Sequence, residues 1–342
     1  LVGAGGVAPL VFLGDSGPGA WERLREQLAR RGLGLEDLLR LRLFGADGAG
    51  AEELRQSLER ELPRERWPAL SVVAARTAER AQPALDAIAS PCGREKQSLG
   101  PQAVRLGRWL FIGALSSPNT HALSPAERIR REAGDVFAEM ERLLRAGGAR
   151  LSDVVRVGGW LSFPMSDYEP LARVREELLE RCALLPASAA VQVAASGGGP
   201  LLAFEAIAFA GHSGERARPS SLAPYYARAR SAGGYVFTCG EIPRERGSLE
   251  REVRDVCEQL GAHLSEHGAL PRDVVQQTVF VRDGEDTPVV ERELAAWLGS
   301  GDVPTTVVRT IDMGFRAGVN VEVELVVETA PVLAEPDPGA RA

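Results

Sequence analysis

The chain has 342 residues, of which 44% are hydrophobic and 25% charged, with a formal net charge of −7. That composition belongs to a soluble globular protein of one large domain or two to three smaller ones. The acidic balance, with no basic run, argues against a nucleic-acid partner, and no apolar stretch approaches the length that spans a bilayer.

The first 94 residues form one unit. The apolar opening LVGAGGVAPLVFLG lacks a basic n-region and a clear cleavage site, and reads as a strand. A helix then ends at Gly32, and Asp37 follows five residues later. The leucine-rich strand LLRLRLF comes next, then the amphipathic helix AEELRQSLERELP. Pro68 opens another strand, and the unit closes on the strand LDAIA at 85–89.

Residues 95–212 repeat that order. The strand RWLFIGALSSP leads into the helix PAERIRREAGDVFAEMERLLRAGG, which stops at Gly148. Asp153, a β-branched strand, the helix YEPLARVREELLERCALLP, Pro186 and the strand FEAIA at 204–208 follow. Residues 213–332 repeat it again, with GYVFTCGEIP, Gly268, Asp273, a Val-rich strand, PVVERELAAWLG, Pro304 and VELVV at 323–327. The three aspartates are 116 and 120 positions apart, and the closing acids Asp86, Glu205 and Glu324 are 119 apart each time. Repeats of this length are tandem structural units. The glycines suit left-handed helix C-caps. The joins near 90–100 and 211–222 are rich in Gly, Ser, Pro and charge, as linkers are, and residues 333–342 read as a disordered tail. The expected fold class is therefore α/β (α+β). Each unit packs its helices on one face of a mixed sheet, and the three bare faces cover one another.

The closing strand of the third unit, Val321-Glu322-Val323-Glu324-Leu325-Val326-Val327, places two glutamates on one face at period 2. For a lone strand the simple reading is a solvent-facing surface. The repeats separate the two acids. Glu324 has an acidic counterpart in both other units, which suits a structural role. Glu322 is matched by Ala203 and Ala84, and is the candidate for chemistry.

Other residues point to no metal or organic cofactor. Cys92, Cys182, Cys239 and Cys257 show no CxxC or metal spacing, so reduced thiols in a cytoplasm are the default. His263 and His267 make an HxxxH beside Glu266, but no third ligand is near in sequence. A surface helix face is the simpler reading there. No GxSxG, P-loop or dinucleotide fingerprint is present.

The segment PYYARARSAGGYVFTCGEIP at 224–243, the helix-Gly-x4-Asp-Val-Val strand and the VEVE/FEAIA strand resemble the Rid (YjgF) superfamily. The resemblance covers essentially the whole chain and is weakest in the first unit. FRAGVNVEVE and LPASAAVQVAASGGGPL are also similar to stretches of the chorismatases, a related family of similar length on the same architecture. The resemblance implies an intramolecular pseudo-trimer, sheets inward and helices outward, with pockets at the unit interfaces. It further implies a monomer or weak dimer.

Carried over residue by residue, the family's catalytic glutamate falls on Glu322 and its motif tyrosine on Tyr226. Its Ser-Gly turn falls on Cys239 and Gly240, whose peptide N–H groups would hold a carbonyl or carboxylate oxygen. The family's carboxylate-binding arginine would fall on Leu70, Ser188 or Thr306, and so is absent from every copy. That loss argues against ordinary imine deamination. Arg309, Arg316 or Arg282 would then bring a cation from another direction. The expected partner is a small molecule, with carboxylates among the candidates. The expected chemistry is hydrolysis or lysis of an enol ether, enamine or imine in a biosynthetic pathway, with Glu322 as the acid. The alternatives are a Rid-type imine deaminase and a scaffold that binds small molecules without turnover.

Overall fold

The computed structural model describes residues 8–17, 19–45, 49–77, 84–117, 123–179, 182, 184–194, 199–211, 225–299, 302–314 and 318–329. Arg316, most of the second join and the tail 333–342 lie outside them. The first unit contains β1 (Val11–Ser16), α1 (Ala20–Ala29), β2 (Leu38–Gly45), α2 (Ala49–Glu61), β3 (Ala69–Ala74), β4 (Arg76–Thr77) and β5 (Ala84–Ala89). The second contains β6 (Gln97–Ser98), β7 (Ala103–Leu106), β8 (Trp109–Ser116), α3 (Pro125–Ala146), β9 (Val154–Leu161), α4 (Glu169–Leu179), β10 (Ala187–Gln192) and β11 (Leu202–Phe209). The third contains β12 (Ala229–Ala232), β13 (Tyr235–Thr238), α5 (Leu249–Glu266), β14 (Val274–Arg282), α6 (Thr287–Leu298), β15 (Thr305–Thr310), β16 (Asp312–Met313) and β17 (Val321–Glu328).

The repeated glycine and aspartate have local causes. Gly32, Gly148 and Gly268 have φ of 70°, 73° and 68°, so each takes the left-handed turn that ends its helix. Asp37, Asp153 and Asp273 each accept a hydrogen bond from the backbone N–H three residues earlier, at 2.8, 2.8 and 2.9 Å. Each carboxylate thereby closes the single 3-10 turn that launches the next strand. The helices bury a stripe at three- and four-residue spacing. On α3 it runs through Ile129, Ala133, Val136, Phe137, Met140, Leu143 and Leu144.

Each unit's sheet has the same wiring. A long strand pairs in parallel with the strand beyond its helix (β2 with β3, β9 with β10, β14 with β15) and antiparallel with the closing strand. The parallel steps need a crossover, which α2, α4 and α6 provide. The sheets run β1-β5-β2-β3, β16-β10-β9-β11-β8-β7-β6 and β12-β13-β17-β14-β15-β4. Two short strands cross unit boundaries. β4 of the first unit extends the third sheet beside β15, and β16 of the third unit extends the second sheet beside β10. Among the described residues the first sheet has four strands, with no counterpart of β7 or β12.

The helix-free faces of the sheets meet in stacked layers. Ile88, Ile207 and Val326 share one apolar cluster with Trp109, Phe111 and Phe237. Two residues back along the closing strands stand Asp86, Glu205 and Glu324, all at most 4% exposed. Two further back stand Ala84, Ala203 and Glu322. Their cross-strand partners Phe44, Trp160 and Phe280 form an aromatic layer, with ring centroids 5.4 and 6.1 Å apart. The solvent-facing reading of VEVE is therefore corrected: both faces of this strand are buried, one under α5 and one between the sheets.

Candidate functional site

The acid layer is an ion network. Arg40 Nη2 reaches Asp86 Oδ1 at 2.7 Å, and Arg42 Nε reaches Asp86 Oδ2 at 2.6 Å. Arg42 also contacts Glu324 at 3.2 Å, and Arg156 pairs with both Glu205 and Glu324. Three guanidinium groups thus meet three carboxylates, one from each unit. In each sheet the acid lies directly across from the same repeat position, which holds Arg42, Gly158 or Thr278. A Cβ at Gly158 would lie 2.9 Å from Glu205 Oε1, so glycine there leaves room for the network. Burial opposes ionisation of Glu324, but Arg156 and Arg42 override it and hold its carboxyl at about 2. Glu324, Glu205 and Asp86 are the hub of the fold.

Glu322, one strand pitch away, has the opposite environment. It is 2% exposed, and its Oε2 has no hydrogen-bond partner among the described residues. Burial, then the charges of Glu324 and Glu241, push its carboxyl well above the usual range. Its surroundings therefore favour the protonated form. It lines a cavity of about 20 Å³ with Tyr226 and Gly240 of the third unit and Arg175, Ser188 and Ala190 of the second.

Gly240 contributes space. A Cβ on it would collide with Glu322 Oε1 and come within 3.0 Å of the Ala189 methyl. Its N–H donates to Ser188 O at 3.0 Å, and the Cys239 N–H donates to Arg228 O at 2.7 Å. The expectation that these two peptide groups hold a substrate oxygen is corrected on that ground, since both donors are already engaged. The Cys239 thiol donates to Glu241 Oε2 at 3.2 Å, and burial holds it well above the usual thiol range. A neutral buried thiol is not a nucleophile.

His263 is 5% exposed, which corrects the surface-helix reading. Its Nε2 lies 3.0 Å from Glu241 Oε2. The Glu241 backbone exchanges two hydrogen bonds with Val323, the residue between Glu322 and Glu324. This cluster clamps the Cys239-Gly240-Glu241 turn onto β17.

Arg175 is the residue that motif reading missed. It sits in the buried stripe Leu171, Arg175, Leu179 of α4, where α2 has Leu58 and α6 has Leu294. Its side chain is 1% exposed and forms no ion pair among the described residues. Nη1 donates to Tyr168 OH at 2.7 Å, and Nη2 donates to Ser188 Oγ at 2.7 Å. The guanidinium carbon lies 5.0 Å from the ring centre of Tyr225 and 5.9 Å from that of Tyr226. The other expected cations are placed elsewhere. Arg309 donates to Glu285 O at 3.0 Å and Thr287 Oγ1 at 2.9 Å, and Arg282 pairs with Asp312 at 2.8 Å. Neither is among the residues lining the Glu322 cavity. No group of three or more His, Cys, Asp or Glu suited to a metal occurs among the described residues, and no described helix is long and apolar enough to cross a membrane.

Three-unit wiring around a shared core, with a buried acid at a unit interface, defines a tandem three-unit α/β protein. The family described as Endoribonuclease L-PSP matches residues 215–329. A RutC family protein of Synechocystis sp. is 30% identical over 94 residues, covering 25% of this chain and 72% of that protein. One of Pyrococcus abyssi is 28% identical over 88 residues, covering 24% and 68%. The chain belongs to this family, the Rid (YjgF) superfamily. Among solved structures a chorismatase superposes with a TM-score of 0.64 at 16% identity, covering 94% of this chain and 99% of that one. That likeness is one of fold.

Proposed function

We propose that the chain is a cofactor-independent hydrolase or lyase for a small carboxylate bearing an enol ether, enamine or imine. The observation that carries this is the pairing, in one cavity, of a buried Glu322 whose surroundings favour its protonated form with a buried Arg175 that forms no ion pair among the described residues. A guanidinium in that state favours an anion. A carboxylic acid whose protonated form is favoured by burial is suited to general-acid work. Glu322 delivers its proton to the methylene carbon of an enol ether or enamine, or to an imine nitrogen. Water then adds to the resulting cation and returns a proton to the Glu322 carboxylate, and the hemiketal or carbinolamine so formed breaks its C–O or C–N bond to release the alcohol or amine and leave the α-keto acid. Tyr226, against the Arg175 guanidinium, orients the bound molecule. The asymmetry of the repeats supports one working site, because Ala84 and Ala203 stand where an acid would be needed at the other two interfaces.

The small volume of the cavity, about 20 Å³, favours a second reading, a scaffold that has kept the fold without turnover. The experiment is a panel of carboxylates carrying each of the three groups, with release of the α-keto acid followed for wild type and Glu322→Gln. Turnover by wild type that disappears in a folded Glu322→Gln variant is the expected result. Equal activity in the two proteins rejects the role of Glu322. Absence of turnover together with retained binding of an α-keto acid establishes the scaffold reading.

A further inference from the structure

Beneath α6, on the helix side of the third sheet, lies a second cavity of about 320 Å³. It is on the opposite face of β14 from Thr278 and Phe280, and so is separate from the Glu322 site. Val279, Val290, Leu294, Leu298 and Val307 form its apolar walls, and Gln277 and Thr305 contribute polar groups. The volume falls within the range of small-molecule pockets.

The polar groups are out of place for a core. At the position of Gln277 the other units have Leu41 and Val157, at 0% and 1% exposure. Thr305 pairs across from Gln277, and at the same place in the other sheets Leu70 stands across from Leu41 and Ser188 across from Val157, at 7% and 5% exposure. The first copy of the fold therefore fills this place with hydrocarbon, the second covers Val157 with the Arg175–Ser188 pair, and the third opens it and lines it with an amide and a hydroxyl.

The orientation of the amide is fixed. The Thr305 hydroxyl donates its proton to Val303 O at 2.8 Å. It can then only accept from Gln277, whose Nε2 lies 2.6 Å away. Gln277 Oε1 is left as an acceptor without a partner among the described residues, on a side chain 5% exposed. A buried acceptor left unpaired is destabilising, and the Leu and Val of the other repeats show that the fold does not require it. At the rim stands Glu291, exposed, and among the described residues neither Lys nor Arg lines the walls.

We propose that this cavity is a second ligand site, for a small neutral apolar molecule with one hydroxyl group that donates to Gln277 Oε1. Its selectivity is the inverse of the Arg175 cavity: Glu291 and the absence of a lining cation disfavour carboxylates.

The test uses the full chain and three probes of one shape: 4-ethylphenol, 4-ethylanisole, which lacks the donor, and 4-ethylbenzoate. Titration followed by amide chemical shifts gives affinity and location. The phenol is expected to perturb β14 and α6. The anisole should bind about 10-fold more weakly, the loss of one hydrogen bond and a re-exposed orphan acceptor, and the benzoate should not bind. Gln277→Leu, the residue of the first repeat, should abolish the preference for phenol over anisole. Ala295→Phe, which fills the cavity from α6, should abolish binding of both and serves if the first variant fails to fold. No perturbation at β14 and α6, or a phenol preference that survives Gln277→Leu, overturns the proposal. So does phenol binding that survives Ala295→Phe.

Discussion

Arg175 donates a 2.7 Å hydrogen bond from Nη2 to the hydroxyl of Ser188. Ser188 occupies a strand position at which the superfamily resemblance leads one to expect an arginine. A guanidinium reaches this strand position from a different element, crossing from α4 to β10. Serine is small enough to admit it and polar enough to hold one of its N–H groups. Tyr168 holds another, and the tyrosine and phenylalanine rings around it replace the water that an exposed arginine would keep.

Arg175→Met therefore has a specific expected effect. Calorimetric titration with 2-oxobutanoate should show binding weakened about 10- to 100-fold, the range for one lost charged hydrogen-bonding partner. The corresponding amide, 2-oxobutanamide, should bind both proteins equally. If the carboxylate and the amide lose affinity in parallel, Arg175 acts only as a packing residue.

Gly240→Ala tests the geometry from the other side. The added methyl collides with Glu322 Oε1 and crowds Ala189. The carboxyl must swing aside while the sheet pairing stays intact. Turnover should fall about 10²-fold, as expected for a misplacement of about 1 Å at a reacting group. Thermal stability should change little. The measurement is kcat in a variant whose far-ultraviolet dichroism matches wild type, and an unchanged kcat would place the proton source elsewhere.

Much of this was legible in the residues. The recurring Gly and Asp announced three units because each does the same local job in every copy. Asp86, Glu205 and Glu324 could be set apart from Glu322 because the repeat acts as its own alignment. What stayed hidden came from side chains that meet only where different elements pack together. Arg175 and Ser188 are joined only through the fold, and Glu241 and His263 lie on different elements. A signal for Arg175 existed, an arginine in a helical stripe where the other units have Leu58 and Leu294. It looked like an ordinary solvated arginine of an amphipathic helix. The strands β4 and β16 that cross between sheets left no pattern at all, since two-residue strands carry no period.

The acidity of Glu322 gives a pH signature. Its folded-state carboxyl is raised above the ordinary 4.5 by burial first, then by Glu324 and Glu241. The native state therefore holds a proton that the unfolded chain releases. Its contribution to stability is fully present below about 4.5 and is lost as pH rises through the raised folded value. Glu322→Gln should remove that decline, so the variant should gain stability over wild type towards alkaline pH in urea titrations. For turnover, the rate should fall as pH rises through the same ionisation. Glu241→Gln removes one of the charges that raise it, and should move the alkaline limb of the rate profile to lower pH. A limb that stays in place in Glu241→Gln would mean that another group titrates.

The central ion network makes the opposite prediction. Glu324 is held at about 2 by Arg156 and Arg42, and Glu205 is also held below the usual range, mainly by Arg42, with Arg40 and Arg156 adding to it. Depressed carboxyls contribute stability above their unfolded value, and lose it as pH falls towards the folded one. Wild type should therefore weaken between about pH 4.5 and 2. Arg42→Met removes a guanidinium that touches an acid from each of the three units, at 2.6 Å for Asp86, 3.5 Å for Glu205 and 3.2 Å for Glu324. Net negative charge is then left buried where the sheets meet. The loss should be about 3–5 kcal/mol in denaturant titrations at neutral pH. It should shrink as the pH is lowered, because protonating the abandoned carboxylates relieves the charge. A loss that stays the same at all pH values would assign Arg42 to packing against Phe44 and Trp160, whose rings lie 5.8 and 5.9 Å from its guanidinium carbon, and would take the network out of the account of what holds the three sheets together.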